Sequence, residues 1–296
     1  MDLTRKQFDL LSIYAVSDES MTQRDLKEKS GYSLGMVNKV VNELIDNKFI
    51  KDGKITQKGL TALEPYSVKR AVFIAAGFGS RLVPITLNTP KPLVRVFGTR
   101  IIDRLIDACI QAGIEEIYVV RGYLAEEFDQ LLYKYPMIKF LENPGYNEAN
   151  NIGSALVAKN LLSNAYVFEA DLLISNPSII TKYHYTSDFL AIKKERTDDW
   201  CFSVKDGIIT EEKVGGTDCW QMVGISYWSR EDGRKLKKDI ADVFESPGGK
   251  ERYWEQVPLV YKKNNYKVEV CECRDEDIVE IDTFSELKAI DKSYDV

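Results

Sequence analysis

One histidine, His184, in 296 residues leaves this chain almost without the side chain that most often moves protons near neutral pH. It stands in Tyr183-His-Tyr185 with no serine or cysteine nucleophile motif beside it, so histidine catalysis is not expected. Cysteine is also scarce: five scattered residues, an odd number, exclude a disulfide framework, and Cys271-Glu-Cys273 lacks the second pair that a zinc site requires. Reduced thiols in or beside strands are expected instead. No apolar run approaches the ~18 residues of a membrane span. The opening Met1-Asp-Leu-Thr-Arg5 has no secretory h-region, and the expectation is a cytoplasmic protein without membrane insertion. Positive charge is lacking as well, the net charge being −6, whereas a protein that grips nucleic acid through many phosphates is distinctly basic.

Two familiar phosphate-binding patterns are missing. A dinucleotide fingerprint needs a third glycine where Leu82 stands, and a Walker loop needs Gly-Lys-Ser/Thr, which does not occur. What is present is Ala71-Val-Phe-Ile-Ala-Ala-Gly-Phe-Gly-Ser-Arg-Leu82, followed by Thr89-Pro-Lys-Pro-Leu93. The continuous apolar run predicts a parallel strand covered on both faces. Gly77 and Gly79 let the backbone of the turn Ala76-Gly-Phe-Gly-Ser80 approach a ligand without a Cβ, and its amides can cradle phosphates. Arg81 and Lys91 add cations where a triphosphate would lie, Lys91 being held between Pro90 and Pro92. Together these features point to a nucleotide site.

The length, with 44% apolar residues, predicts about two domains. Residues 1–66 read as three short helices, over 5–15, 22–29 and 33–47, and a hairpin at 49–56. Thr22 is a candidate N-cap, Gly31 separates the second helix from the third, and Asp52-Gly53 suits a hairpin tip. This pattern resembles a winged helix-turn-helix. Residues 1–67 hold ten Lys plus Arg against ten Asp plus Glu, so the module is neutral and the remaining chain carries the net charge. Lys39, Lys51, Lys54 and Lys58 would make only a local basic edge, and a docking or dimerisation role is favoured over DNA binding.

Residues 67–296 alternate strand and helix, with strands at 71–75, 116–120, 138–142 and 165–169 and helices at 100–112, 124–133 and 151–161. The order predicts an α/β fold, a Rossmann-like domain with a mixed, mainly parallel sheet whose ligands gather at the carboxyl ends of the strands. Beyond residue 186 short strands and aromatic residues predict antiparallel additions that wall the site. After the strand Tyr166-Val-Phe168, Glu169-Ala-Asp171 delivers a carboxylate to the ligand end of the sheet. Ile278-Val-Glu-Ile-Asp-Thr283 repeats the arrangement with Glu280 and Asp282. Two acidic strand ends from distant segments suit one Mg²⁺, an ion that takes few carboxylates and completes its shell with substrate phosphates.

The series G-x-G-S-R, Lys91-Pro-Leu93, Arg121-Gly-Tyr-Leu-Ala-Glu-Glu-Phe128, Tyr146-Asn-Glu-Ala-Asn-Asn-Ile-Gly-Ser154, Glu169-Ala-Asp171, Thr197-Asp-Asp-Trp200, Gly224-Ile-Ser-Tyr-Trp228, Tyr253-Trp-Glu255 and Glu280-Ile-Asp282 resembles that of bacterial CTP:phosphocholine cytidylyltransferases. The likeness covers about residues 70–292. It implies a CTP site at Ala76, Gly77, Gly79, Ser80, Tyr123, Asn151 and Ser154, catalytic cations at Arg81 and Lys91, and Mg²⁺ on Asp171 and Asp282. It also implies a choline pocket at Trp200, Tyr253, Glu255 and Glu280. The implied reaction joins CTP and phosphocholine into CDP-choline and pyrophosphate. Two departures stand out: Glu255 where the shorter Asp is familiar, and Glu169 in place of an Asp. They leave open 2-aminoethylphosphonate or another alcohol or sugar phosphate as the acceptor. A nucleotide-sensing transcription regulator is the alternative outside enzymes. For Trp228, flanked by strand residues, packing is expected rather than ligand contact.

Overall fold

The computed structural model describes residues 2–17 and 19–295, and the chain forms two compact units, Met1–Ser67 and Val68–Val296.

In the first unit the helices start at side-chain caps, of which Thr22 was anticipated from sequence. Thr4 and Gln7 form a capping box at α1 (Arg5–Ala15), Thr22 and Asp25 another at α2 (Gln23–Ser30), and Ser33 caps α3 (Leu34–Asp46). Gly31 closes α2 in the left-handed conformation at φ 71°. Strands β1 (Ile50–Lys51) and β2 (Lys54–Ile55) are joined by Asp52 and Gly53 at φ 50° and 72°. A two-residue turn with both φ values positive matches the twist of a hairpin. A fourth helix, α4 (Gln57–Leu63), was not anticipated. A Cβ on Gly59, in its first turn, would lie 2.3 Å from the Phe49 carbonyl oxygen, so this glycine serves close packing against the hairpin.

The second unit is built on a seven-stranded sheet. Its elements in chain order are β3 (Arg70–Ile74), the short pair β4 (Arg95–Val96) and β5 (Thr99–Arg100), α5 (Ile101–Gln111), β6 (Glu116–Arg121), β7 (Lys139–Glu142), α6 (Ile152–Ala158), β8 (Ala165–Glu169), β9 (Leu172–Ile174), β10 (Asp188–Lys205), β11 (Ile208–Trp228), α7 (Arg230–Phe244), β12 (Glu269–Cys273), β13 (Ile278–Glu280) and α8 (Phe284–Ile290). The strand order is β10-β12-β11-β8-β3-β6-β7. β3 runs parallel to β6 and β8, β6 parallel to β7, and β11 antiparallel to β8. The sheet is therefore mixed and mainly parallel in its nucleotide half, an α/β fold.

β3 shows why the apolar run reads as doubly covered. Ala71 and Phe73 enter one core layer, with Leu105, Ile117 and Phe168, while Val72 enters the opposite layer with Ile152, Trp228 and Trp254. No helix among the described residues is long and apolar enough to cross a membrane.

Three expectations change. The segment over 124–133 winds as 3-10 turns, Ala125–Tyr133. Leu124 enters it at φ 45°, and Arg121 takes the Ala125 carbonyl, 3.0 Å away, that an α-helix would give to residue 129. Beyond residue 186 the strands are long, 18 residues in β10 and 21 in β11. Within them Thr197-Asp-Asp-Trp200 and Val214-Gly-Gly-Thr217 face each other across an irregularity in the ladder, Thr197 opposite Gly216 and Trp200 opposite Val214. Four of the free cysteines lie in strands as expected, but Cys109 is buried in α5.

Candidate active site

The carboxyl ends of β3 and β8 open onto a cavity of about 570 Å³, a size within the range of small-ligand sites. Its floor is the glycine turn after β3. A Cβ on Gly77 would meet nothing within 4 Å, leaving open space for a ligand, whereas Gly79, at φ 67°, lies so near Lys91 that a Cβ would come within 3.1 Å of the lysine Cβ. Gly79 thus serves both the turn and the approach of Lys91.

Lys91 is buried, and its Nζ donates to Asp171 Oδ2 at 2.8 Å and to Asp282 Oδ1 at 3.1 Å. Arg81 grips Asp282 with both terminal nitrogens, Nη1 to Oδ2 at 2.8 Å and Nη2 to Oδ1 at 2.6 Å. The two cations that sequence reasoning assigned to phosphate are thereby set among the acids it assigned to metal. Burial opposes the charge on Lys91, but Asp171 and Asp282 outweigh it and raise its pKa. Asp282 shows the converse: against burial, Lys91, a hydrogen bond with Glu280, and Arg81 hold it below the usual carboxylate range.

Glu169, Asp171 and Glu280 bring one oxygen each within 4.8 Å of one another. β13 pairs antiparallel with β9, Glu280 opposite Leu172, which joins the two acidic strand ends across about a hundred residues of sequence. Asp171 Oδ1 is buried without a partner. An all-oxygen set with an orphaned carboxylate oxygen fits a hard divalent cation. Burial, then the charges of Glu255, Asp171 and Glu280, push Glu169 well above the ordinary range. Burial, then Asp171 and Asp282, push Glu280 up to about 9. Such crowding of like charge marks functional sites.

The cavity's second end is aromatic and acidic. Trp200, from β10, meets Tyr253 edge to face with ring centroids 5.7 Å apart, and Glu255 is buried beside them, its carboxyl pushed up to about 7 by burial. Asn151 ties the two ends: its Nδ2 donates to Glu255 Oε2 at 3.4 Å and to Glu169 Oε1 at 3.5 Å, and its Oδ1 accepts the Trp254 N–H at 2.8 Å.

The structure brings Gly77, Gly79, Ser80, Arg81, Lys91, Asn151, Asp171, Trp200, Tyr253, Glu255, Glu280 and Asp282 to one cavity wall. Three expected CTP residues lie outside that lining. Ala76 is buried, its carbonyl taken by the Tyr123 N–H, while Tyr123 Oη donates to the Thr86 and Leu87 carbonyls and its ring meets Phe78. Ser154 is buried and accepts from Asn143 Nδ2 at 3.0 Å. Asn150, Asp199 and Met222 line the cavity without having been singled out. The run Asn-Glu-Ala-Asn-Asn and the motif Thr-Asp-Asp-Trp held the first two; Met222 carries no local signal. Trp228 is fully buried with its indole N–H on Ser226 Oγ, and His184 lies in the core between Tyr166 and Asp188, so neither is at the site.

The comparisons with known proteins agree with this geometry. Residues 70–207 match the nucleotidyl transferase family. The chain is 37% identical over 232 residues to a 2-aminoethylphosphonate cytidylyltransferase of Lancefieldella rimae, covering 76% of this chain and 92% of that protein. It is 30% identical over 224 residues to a choline-phosphate cytidylyltransferase of Haemophilus influenzae, covering 73% and 93%. The solved CTP:phosphocholine cytidylyltransferase of Streptococcus pneumoniae superposes with a TM-score of 0.70 at 28% identity, over 77% of this chain and 99% of that one. A sheet whose strand ends carry a glycine turn, a buried lysine and clustered acids defines a nucleotidyltransferase, and the chain belongs to that family. Within it, the chain belongs with the cytidylyltransferases.

Proposed function

We propose that the chain transfers the cytidylyl group of CTP to a small acceptor with a phosphate or phosphonate at one end and a cationic amine at the other. Phosphocholine and 2-aminoethylphosphonate, for which its relatives are named, are the acceptors to test. The observation that carries this reading is the pairing of two chemistries in one cavity: Lys91 among Asp171 and Asp282, and the Trp200–Tyr253 pair beside buried Glu255. Aromatic faces and a carboxylate suit an ammonium head group, each cation–π contact contributing about 0.5–2 kcal/mol. Inositol or sugar acceptors would call for hydroxyl-binding polar groups where Trp200 and Tyr253 stand.

Asp171, with Glu280, Glu169 and Asp282 around it, would hold Mg²⁺, which when bound supplies positive charge to the triphosphate. The chain's own part is positioning. Amides of the turn at Gly77, Gly79 and Ser80 face the nucleotide, and Arg81 and Lys91 offset negative charge on the triphosphate and the departing pyrophosphate. The acceptor phosphate is largely dianionic near neutral pH and needs no general base, which suits a site without histidine. Residues 1–66 we read as a winged helix-turn-helix serving docking or dimerisation.

Pyrophosphate release from CTP and Mg²⁺ with each acceptor tests the reading. Turnover with an amine-bearing acceptor, lost in Asp171→Asn, is the expected result. Turnover only with glucose 1-phosphate or inositol 1-phosphate would overturn the head-group assignment.

A further inference from the structure

Among the described residues that line the cavity, Asp199 is the acid that no step above uses. It comes from an irregularity of the β10–β11 ladder. Thr197 pairs with Gly216 and Trp200 with Val214, so Asp198 and Asp199 together stand against Gly215 alone, which takes φ 72° there. Two residues against one make a β-bulge, which bends its strand and re-aims a side chain. The two aspartates are sorted by it: Asp198 is exposed outside the lining and pairs with Arg196 at 3.6 Å, whereas Asp199 enters the cavity wall beside Trp200.

The carboxylate is held in place by neutral groups. Its Oδ1 accepts the Trp200 N–H at 2.7 Å, and its Oδ2 accepts from Gln221 Nε2 at 3.4 Å. The Asp199 N–H donates to Thr197 Oγ1 at 3.2 Å, and Thr197 Oγ1 donates to Gln221 Oε1 at 3.2 Å, which closes the set. An ionised carboxylate has about four acceptor positions, so both oxygens of this exposed residue keep capacity for a ligand. Neither partner offsets its charge. The aromatic part of the wall is small by comparison: the lining holds two aromatic side chains, Trp200 and Tyr253, set at 66° to each other, while Trp254 is buried in the core. Two rings at that angle make a corner and not a closed cage.

We propose that Asp199 is a specificity-determining residue for the acceptor, its free carboxylate positions taking the N–H groups of a primary ammonium. The inference rests on the cytidylyl-transfer reading and narrows the acceptor to aminoalkyl phosphonates and phosphates. A primary ammonium brings three N–H donors, whereas a trimethylammonium brings none and is held only by π-faces and diffuse charge. Its methyl groups would cover Asp199 without bonding it, and a site discriminates against a ligand that takes water from an acceptor and gives no donor in return. Trp200 and Tyr253 cover the alkyl chain, and Asp199 reads the amine.

The test compares phosphoethanolamine with phosphocholine, which differ only in N-methylation, and adds 2-aminoethylphosphonate. The wild type is expected to favour the primary amines in kcat/KM. Asp199→Asn removes the charge and keeps an oxygen for the Trp200 N–H. It should lower kcat/KM for the primary amines by about tenfold or more, mainly through KM, and change that for phosphocholine less. Asp198→Asn makes the same change of charge one residue away and should keep the wild-type preference. Calorimetric binding of CTP shows that each variant is folded. Should Asp199→Asn fail to fold, Asp199→Ser, which also keeps an oxygen for Trp200, takes its place with the same expectation. A folded Asp199 variant with the wild-type preference, an equal loss with all three acceptors, the same effect from Asp198→Asn, or a wild type that favours phosphocholine overturns the inference alone. A wild type that releases no pyrophosphate with any of the three acceptors overturns the cytidylyl-transfer reading and the inference with it.

Discussion

Gly224, next to the Ile225–Phe168 pair of the β11–β8 ladder, lies against Glu169: a Cβ on Gly224 would lie 2.3 Å from Glu169 Oε2 and 2.8 Å from Glu169 Cβ. Because the second of these atoms is fixed to the backbone, the glutamate cannot swing clear and the strands must part. Gly224→Ala is expected to displace Glu169 from Asp171 and Glu280, lowering kcat/KM by about tenfold or more and raising the Mg²⁺ concentration needed for half-maximal rate. A variant with wild-type Mg²⁺ dependence would show that the close approach has no bearing on the acids.

Lys91 holds Asp171 and Asp282 together and carries the charge assigned to the triphosphate. Lys91→Ala should lower kcat by about 10²–10³-fold, the scale of losing one preorganised electrostatic group. It also leaves four acids facing one another, so thermal stability without Mg²⁺ should drop and recover in part when Mg²⁺ is added. A change confined to KM would rule out a role in the transition state.

The aromatic pair should act on the acceptor and not on the nucleotide. Removing one cation–π partner costs about 0.5–2 kcal/mol, so Trp200→Ala is expected to raise the acceptor KM by about 2- to 30-fold. The CTP KM should move far less. An equal rise in both, in initial-rate kinetics, would mean that Trp200 shapes the whole cavity.

Glu255 and Glu212 are pushed up to about 7 and about 8, burial being the first cause in each. In the unfolded chain a glutamate ionises near pH 4.3. Above that pH the folded state holds protons that the unfolded state has released, so this pair makes stability fall as pH rises toward about 8. Glu212→Gln removes one such group, and its melting temperature relative to the wild type should rise between about pH 5 and about pH 8. A constant difference across that window would mean that Glu212 is ionised throughout.

Much of this could be read locally. The glycine turn was visible because Gly77 and Gly79 follow an unbroken apolar strand, and the start of the second helix because Thr22 caps within its own first turn. Tyr123 and Ser154 lie outside the cavity lining for a reason no motif carries, which way the side chain is turned; hydrogen bonds to Thr86, Leu87 and Asn143 decide that. The long β10–β11 hairpin was hidden because Asp198-Asp-Trp200 and Gly215-Gly216 are turn-like in isolation and become strand only where each faces the other.

The sequence by itself determined the parallel half of the α/β sheet, the glycine turn and the acidic strand ends, since each depends on neighbours within a few residues. The tertiary structure alone decided that Lys91 lies between Asp171 and Asp282, that Glu280 joins Glu169 and Asp171, and that Glu212 is buried without a donor. These relations join residues far apart along the chain, and they exist only once β9 pairs with β13 and β10 with β11, because burial and charge act through space and not along the backbone.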